Sequence, residues 1–187
     1  MQGRYVDHIA VLVRSIERAI DTLGLRVDHE SIEEFPGEGT RELYVGDSKT
    51  PARLLLMQPI GPGPYERALA KRGAGLHHIA LGTPDLLEFS DSISGTGWLL
   101  HPSSLRLAGR AKQIWLCRPG VGTLIEVSAG ESAYAGTPVV THVTVPARPE
   151  HASLIAALGL RGVAASADDS AALELAGHTI RLTDGGF

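Results

Sequence analysis

Two histidines and one glutamate stand where they could bind a metal together. His8 and His78 each open a His-Ile-Ala run, in "YVDHIAVLV" and "GLHHIALGT", and Glu126 lies within the apolar stretch "GTLIEVSAG". A carboxylate in an apolar strand must be paired, hydrogen-bonded or metal-bound, because burying it alone is costly. Two imidazoles and one carboxylate suit a divalent transition metal that keeps open coordination positions. A histidine in an apolar strand is more often an ordinary core or edge residue than a ligand, so this prediction requires the three side chains to meet.

The two histidine runs belong to two copies of one pattern of secondary structure. Residues 5–13 predict a strand, residues 16–23 a helix, and residues 26–32, 40–46 and 52–58 three further strands. The same order of strand, helix and three strands then restarts, at a period of about 70 residues. The pattern predicts two βαβββ units that could place the two histidines and the glutamate around one hollow.

Two helix starts follow from side chains that can cap a helix. Ser15 is the predicted N-cap of the first helix, which Gly24 ends. Thr83 is the predicted cap of the corresponding helix in the second unit, with Pro84 at its first position and Asp85 next to it.

The repeat divides the chain into three predicted units. The first covers residues 1–66, the second residues 67–132, and a fainter third unit residues 137–187. The third unit is shorter, and Arg181 stands where the second unit has Glu126. Because arginine cannot ligate a metal, we interpret this unit as truncated and non-catalytic.

The third unit has no partner unit within the chain. Its strands alternate, which predicts one apolar face that should not be left in water. We expect a second copy of the chain to cover this face in a homodimer with a two-fold axis. The alternative is that the unit folds back over the hollow that holds the site.

The two complete units resemble the βαβββ modules of the vicinal oxygen chelate superfamily, which includes glyoxalase I, methylmalonyl-CoA epimerase, extradiol dioxygenases and antibiotic-resistance proteins. The stretches "DHIAVLV", "PIGPGPYERALAKRGAGLHHIAL" and "RPGVGTLIEV" are most similar to methylmalonyl-CoA epimerases in order and spacing. The resemblance implies an α+β fold in which paired βαβββ modules form a curved mixed sheet, followed by the truncated third module.

The resemblance also implies a ligand set. His8, His78 and Glu126 fall on metal-ligand positions, for a divalent metal that could be Co, Mn, Ni, Zn or Fe(II). His77, the first histidine of its pair, should then point to the opposite face of the strand.

At one position this chain departs from the epimerases, which take a fourth ligand, Gln or Glu, from the last strand of the first unit. The step from His78 to Glu126 is 48 residues (126 − 78), and the equivalent step of 47 residues from His8 (8 + 47) arrives at residue 55, which is Leu. Strand alternation puts Gln58 on the face opposite Leu55, so Gln58 could ligate only through a bulge or a register shift. A three-ligand site and a fold that has lost its metal both remain open.

The resemblance implies an epimerase or isomerase that forms an enolate of an acyl thioester or a related dicarbonyl compound. Such a reaction needs a Lewis acid and acid–base groups on both faces of the reacting carbon. Glu126 would serve as ligand and as one base, and Glu42 is the candidate for the second. A salt bridge from Glu42 to Arg41 or Lys49 is an equally good interpretation.

Two other functions are open. An Fe(II) extradiol-type dioxygenase would use the same ligands, but the stretch between His78 and Glu126 offers only His101 and no tyrosine for proton transfer. A non-catalytic, resistance-type protein would bind a small molecule in an apolar pocket. The candidates for its lining are Leu55, Met57, Trp98 and Trp115.

Composition and charge exclude several other classes. The net charge of −4 comes from interspersed acids and bases, so no basic stripe indicates nucleic acid. No apolar run approaches the roughly 20 residues of a membrane-spanning helix, and the N-terminus lacks a signal-peptide core.

The single Cys117 fits a reducing compartment, so we expect a cytoplasmic protein. We also expect its substrate to be a small molecule. Arg106, Arg110 and Lys112 lie in a predicted surface loop that could meet an acidic substrate.

Overall fold

The polypeptide is organised as strands in two sheets with short α-helices between them. In residues 3–105, 112–131, 134–183 and 187, which the computed structural model describes, the chain forms an eight-stranded sheet, a four-stranded sheet and five α-helices. The strands are β1 Tyr5–Leu12, β2 Glu33–Phe35, β3 Thr40–Val45, β4 Arg53–Pro59, β5 Gly75–Thr83, β6 Leu99–Leu100, β7 Gln113–Arg118, β8 Val121–Ala129, β9 Val140–Pro146, β10 Val163–Ser166, β11 Ala172–Leu175 and β12 His178–Arg181. The helices are α1 Ile16–Leu23, α2 Pro64–Arg72, α3 Leu86–Ile93, α4 Pro102–Leu105 and α5 Ala152–Ala157.

The eight-stranded sheet is built from two similar halves. Its strand order is β2-β3-β4-β1-β5-β8-β7-β6. The central strands β1 and β5 are antiparallel, and each pairs on its outer side with the last strand of its own half, β4 or β8, in parallel. The mixed sheets and the few helices confirm the predicted α+β class of glyoxalase-like βαβββ modules.

Helix α1 begins and ends where the sequence predicts. The hydroxyl of Ser15 accepts a hydrogen bond from the backbone N–H of Arg18 at 3.2 Å, which satisfies one of the free donors of the first turn. Gly24 ends the helix in the left-handed conformation, with φ 62°, which glycine adopts without strain.

Helix α3 begins two residues later than predicted. Thr83 is still the last residue of β5, and the N-cap is Asp85, whose carboxylate accepts hydrogen bonds from the backbone N–H groups of Leu87 and Glu88 at 2.8 and 2.9 Å. The predicted Thr83 cap is wrong because a carboxylate can satisfy two donors at once and suits the positive end of the helix dipole.

The strand predicted over residues 26–32 is also wrong. A 3-10 turn spans His29–Ser31, and the edge strand β2 begins only at Glu33. The side chain of Asp28 accepts a hydrogen bond from the backbone N–H of Glu30 at 3.0 Å. Such a local bond from side chain to backbone competes with sheet pairing and favours a turn.

Side chains alternate between the two faces of the eight-stranded sheet. On β1, Ile9 and Val11 join the main hydrophobic core, whereas Ala10 joins a separate cluster with Leu55 and Met57 of β4. We call these the core face and the site face. Helices α1 and α3 pack on the core face, and α2 lies against the cluster on the site face.

Strands β9 to β12 form the second sheet, in the order β10-β9-β11-β12. Strand β9 pairs in parallel with β10, the strand directly after α5, and antiparallel with β11. In the first two units the first strand pairs in parallel with the last strand instead. The third unit therefore retains four strands and a helix in the described residues, and it differs from the other units by its strand order.

The apolar face of the second sheet is buried within its own chain. Val143, Val145 and Leu173 are each at most 1% exposed and belong to the same hydrophobic core as Ile9. The face is therefore not left open as the sequence leads us to expect, because it packs on the core face of the first sheet. The division into three units and the homodimer stay predictions.

Two further expectations concern surfaces. The helices in the described part of the chain are too short or too polar to span a membrane. Arg106 and Arg110 of the predicted basic loop lie outside the described residues, and Lys112 is exposed.

Candidate metal centre and catalytic cavity

The two predicted ligand histidines meet at the centre of the eight-stranded sheet. His8 on β1 and His78 on β5 are 6% and 2% exposed, and their Nε2 atoms lie 3.2 Å apart. They come together because β1 and β5 are antiparallel neighbours whose side chains at these positions share the site face. The pairing of the two units thus brings together residues that are 70 positions apart in the chain.

Glu126 completes the cluster from β8. Strand β8 runs parallel to β5, with Glu126 opposite Ala80, and its Oε2 lies 3.4 Å from Nε2 of His78. Gln113 on the neighbouring strand β7 donates a hydrogen bond to the other carboxylate oxygen. The candidate ligand atoms of His8, His78 and Glu126 all lie within 4.8 Å of one another, so the structure brings the predicted ligands together.

The donor set fits a divalent transition metal. Burial holds the pKa of His78 well below its usual value, so its imidazole is neutral at pH 7 and a lone pair is available. Burial also raises the pKa of Glu126, an effect that the nearby His8 and the hydrogen bond from Gln113 oppose. A cation between these groups would offset the cost of burying the carboxylate. Two nitrogens and one oxygen would hold such an ion and leave positions for a substrate.

The fourth position of the cluster carries a leucine. Leu55 lies opposite Ala10 in the parallel β1–β4 pair, as Glu126 lies opposite Ala80 in the β5–β8 pair. The register therefore places Leu55 where a fourth ligand would stand. Gln58 points elsewhere, because its side-chain oxygen accepts a hydrogen bond from the backbone N–H of Ile16 at 3.1 Å. Gln58 fixes the start of α1 and does not reach the cluster.

The repeat extends to the aromatic residues that flank the histidines. Tyr44 lies opposite Leu55, and Trp115 lies opposite Glu126. The Tyr44 ring contacts His8 edge-on at a centroid distance of 5.4 Å, and the Trp115 ring contacts His78 in the same way at 5.0 Å. Each candidate ligand ring is therefore held on one side by an aromatic ring of its own half.

The cluster lies in a cavity of about 310 Å³ on the site face. The described part of the third unit does not line this cavity, because the described lining residues all lie between positions 8 and 126. They are His8, Glu38, Glu42, Tyr44, Leu55, Met57, Tyr65, His78, Gln113, Trp115 and Glu126.

Glu42 is buried in the wall of this cavity. Its side chain accepts a hydrogen bond from the hydroxyl of Thr40 at 2.8 Å, while Arg41 pairs with Glu17 at 2.9 Å. Burial raises the pKa of Glu42, and the Thr40 hydrogen bond offsets part of that rise. Glu42 thus shares a cavity with the candidate ligands, as a second base would.

The expected orientation of His77 needs correction. His77 does not point away from the cluster, because its Nδ1 lies 2.9 Å from Nδ1 of His78 and its ring contacts Tyr65 at 5.2 Å. A β-bulge at this point of the β1–β5 pair breaks the strict alternation on which the prediction relied. His101 bonds to the hydroxyl of Ser103 at 2.8 Å and is not among the described lining residues.

The predicted apolar lining is confirmed for three of its four members. Leu55, Met57 and Trp115 line the cavity, whereas Trp98 is buried in the main core and its indole N–H donates to the carbonyl of Leu154 at 2.8 Å.

Sequence reasoning missed several lining residues. The spacing that relates Leu55 to Glu126 also relates Tyr44 to Trp115, so the repeat could have identified that aromatic pair. No sequence signal marks Tyr65, which reaches the cavity from α2 and donates a hydrogen bond to Glu38 at 3.3 Å.

Comparison with known proteins agrees with this architecture. The profile of the glyoxalase/bleomycin resistance protein/dioxygenase superfamily matches residues 7–114, which is more than half of the chain. The chain belongs to this superfamily. The matched region includes His8, Glu42 and His78, whereas Glu126 lies beyond it. Members of the superfamily often use divalent metals, and the superfamily includes non-enzymes as well as enzymes.

Similar folds occur among solved structures. A hypothetical protein from Bacillus halodurans is 22% identical over 71% of this chain and 99% of its own, with a TM-score of 0.52. Methylmalonyl-CoA epimerase from Streptomyces coelicolor, in complex with 2-nitronate-propionyl-CoA, is 25% identical over 69% of this chain and 100% of its own, with a TM-score of 0.48. The Mycobacterium tuberculosis epimerase is 24% identical over 71% of this chain and 89% of its own, with a TM-score of 0.48. A search of curated proteins gave no match.

Proposed function

We propose that this protein is a metal-dependent epimerase or isomerase that moves a proton at the carbon next to a carbonyl group of an acyl thioester or related dicarbonyl compound. The observation that carries the proposal is that two largely buried carboxylates, Glu42 and Glu126, line one cavity with two converging histidines. The resemblance of the first two units to methylmalonyl-CoA epimerases agrees with this chemistry.

His8, His78 and Glu126 would hold the metal. When bound, the metal would supply the Lewis acidity that stabilises negative charge on the substrate oxygens. The cavity itself supports the need for such an ion. Its described lining includes three glutamates and neither lysine nor arginine, so no side chain there offers a fixed positive charge to an enolate.

In this proposal Glu42 and Glu126 act as the two acid–base groups. They lie on β3 and β8, on either side of the central strands that carry the histidines. Epimerisation requires a proton to leave one face of a carbon and to return on the other. Burial raises the pKa of both carboxyl groups, which makes each a stronger base than an exposed glutamate. In this proposal each of them serves one face, and Gln113 and Thr40 hold them in place.

Deuterium exchange tests the proposal. The zinc- or cobalt-loaded protein is incubated in deuterated water with one epimer of methylmalonyl-CoA, and the α-proton signal is followed by NMR. We expect the wild-type protein to exchange this proton. In Glu42→Gln the rate should fall roughly 10²- to 10⁴-fold, the contribution of a positioned acid–base group, while the metal is retained.

The matched control is Glu34→Gln, which changes an exposed glutamate on the edge strand β2. It should leave the exchange rate unchanged. If Glu42→Gln exchanges the α-proton as fast as the wild-type protein, Glu42 is not an acid–base group of the reaction. No exchange with any acyl thioester, in protein that binds metal, would refute the epimerase proposal.

An Fe(II) extradiol-type dioxygenase is a second candidate, because Leu55 leaves a cluster of two histidines and one carboxylate. Such a triad is typical of non-haem iron oxygenases. Oxygen uptake by the iron-loaded protein with a catechol, and none in His78→Ala, would support this function. A small molecule retained by metal-free protein in native mass spectra would instead favour a binding protein.

A further inference from the structure

Asp7 and His77 occupy equivalent places, directly before the two candidate ligand histidines. Strands β1 and β5 pair with two register shifts, one of which leaves Asp7 without an opposite residue and the other His77. Each is therefore a β-bulge, which re-aims a side chain out of the regular alternation of the strand. The same local distortion thus occurs in both halves of the sheet.

Each bulged side chain contacts the Nδ1 atom of the histidine that follows it. Oδ2 of Asp7 lies 2.5 Å from Nδ1 of His8, and a guanidinium nitrogen of Arg53 lies 3.4 Å from the same oxygen. Nδ1 of His77 lies 2.9 Å from Nδ1 of His78, and both rings are buried. In both halves the partner occupies the Nδ1 side of the ring, so Nε2 is the atom that faces the cluster.

The chemistry of the partners determines which ring nitrogens carry protons. A carboxylate accepts hydrogen bonds, so a neutral His8 carries its proton on Nδ1 and presents a lone pair at Nε2. In the metal-free protein this lone pair accepts from Nε2–H of His78, 3.2 Å away. His78 then has a lone pair on Nδ1, which accepts from Nδ1–H of His77. Each of the three contacts thus has one donor and one acceptor.

We propose that Asp7 and His77 are positioning residues that aim Nε2 of His8 and His78 at a shared divalent metal. Asp7 is a permanent acceptor. His77 changes from donor to acceptor when metal binds, because His78 must then free its Nε2 lone pair and carry its proton on Nδ1. The proton of His77 then moves from Nδ1 to Nε2, so each ring carries one proton both before and after metal binding. The proposal rests on the proposed function only in taking His8 and His78 as metal ligands.

The ring tautomers give a direct test. Long-range ¹H–¹⁵N NMR of histidine-labelled protein, first without metal and then with Zn(II), assigns the proton of each ring. We expect His8 to carry its proton on Nδ1 in both states. In His78 the proton should move from Nε2 to Nδ1 on zinc addition, and in His77 from Nδ1 to Nε2. His8 with its proton on Nε2 in metal-free protein, or His77 unchanged by bound zinc, would overturn the proposal.

Zinc affinity, measured by competition with a chromophoric chelator, tests the same roles in variants. Loss of a partner that orients a ligand typically weakens metal binding roughly 10- to 100-fold, and we expect this loss in Asp7→Ala and His77→Leu. Asp7→Asn and His77→Gln retain a hydrogen-bonding oxygen and should recover most of the affinity. Recovery by these conservative variants separates positioning from a general loss of structure, and it provides folded proteins if the larger changes prevent folding.

The matched control is Asp21→Ala, which removes an exposed aspartate from α1 and should bind zinc as the wild type does. Wild-type affinity in both Asp7→Ala and His77→Leu would overturn the positioning roles. If the wild-type protein binds no zinc, the metal-dependent function fails, while the tautomers of the metal-free protein still decide whether Asp7 and His77 orient the rings.

Discussion

The side chain at position 55 determines how many protein ligands the cluster can offer. Leu55 is 3% exposed and occupies the register position that Glu126 occupies in the other half. We expect Leu55→Glu to raise zinc affinity at least about tenfold, because a fourth protein ligand replaces solvent at an open position. Without metal, Leu55→Glu should unfold at a lower temperature than the metal-free wild-type protein, because it buries a carboxylate without a partner. Chelator competition and thermal unfolding measure the two effects.

The control for this change is Leu55→Met, which conserves volume and polarity at the same position and should cost less than about 1.5 kcal/mol of stability. It should leave zinc affinity unchanged. If Leu55→Glu and Leu55→Met bind zinc equally well, position 55 does not face the metal.

The three candidate ligands could be predicted from the sequence because each lies at a repeated position of a repeated unit. His8 and His78 are each the fourth residue of the equivalent strands β1 and β5, and the partner strands β4 and β8 place Leu55 and Glu126 at matching register. The position of His77 could not be predicted, because a bulge depends on how two distant strands pair. Hydrophobic alternation within a single strand contains no information about that pairing.

At the scale of the elements, Gln58 connects strand β4 to the start of helix α1. Its side-chain oxygen accepts the hydrogen bond of a backbone N–H in the first turn of the helix, a donor without a partner inside the helix. We expect Gln58→Ala to cost about 0.5–2 kcal/mol of stability, as loss of a helix cap does. Zinc affinity should not change, because Gln58 does not reach the cluster. Chemical denaturation and chelator competition provide the two measurements.

Gln113→Ala is the matched control, since it removes a second glutamine whose side chain donates to Glu126. This variant should weaken zinc binding. Zinc binding that is weakened in Gln58→Ala as much as in Gln113→Ala would show that Gln58 belongs to the metal site.

The elements that were wrongly predicted share a physical cause. Asp28 starts a turn where the sequence predicts a strand, and Asp85 caps the helix for which the sequence predicts Thr83 as the cap. In both cases a short acidic side chain bonds to backbone N–H groups just ahead of it, which outweighs the propensity of the surrounding residues. The strand order of the second sheet was unpredictable for another reason. A string of strands and helices does not specify whether β9 pairs with β10 or with β12.

At the scale of the whole molecule, the third unit is part of the main hydrophobic core. Leu173 and Val145 of the second sheet are buried in the same cluster as Ile79 of the first sheet. Trp98 adds a hydrogen bond across this contact, from its indole to the carbonyl of Leu154. The sequence shows that the third unit has an apolar face, but it does not show that the chain itself covers that face. If the homodimer forms, its contact must lie on another surface.

Removal of the third unit should therefore destabilise the first two. A chain that ends at Gly136 would expose the core face that Val143, Val145 and Leu173 cover, and a large open apolar surface leads to aggregation or loss of cooperative folding. We expect this chain to lack a sharp thermal transition and to bind a hydrophobic dye.

Co-expression of residues 137–187 as a separate chain should restore the transition, because the contact between the two parts does not require a covalent link. Light scattering on the full-length protein reports the oligomeric state independently. A soluble chain ending at Gly136 that unfolds as cooperatively as the full-length protein would show that the two sheets do not depend on a shared core.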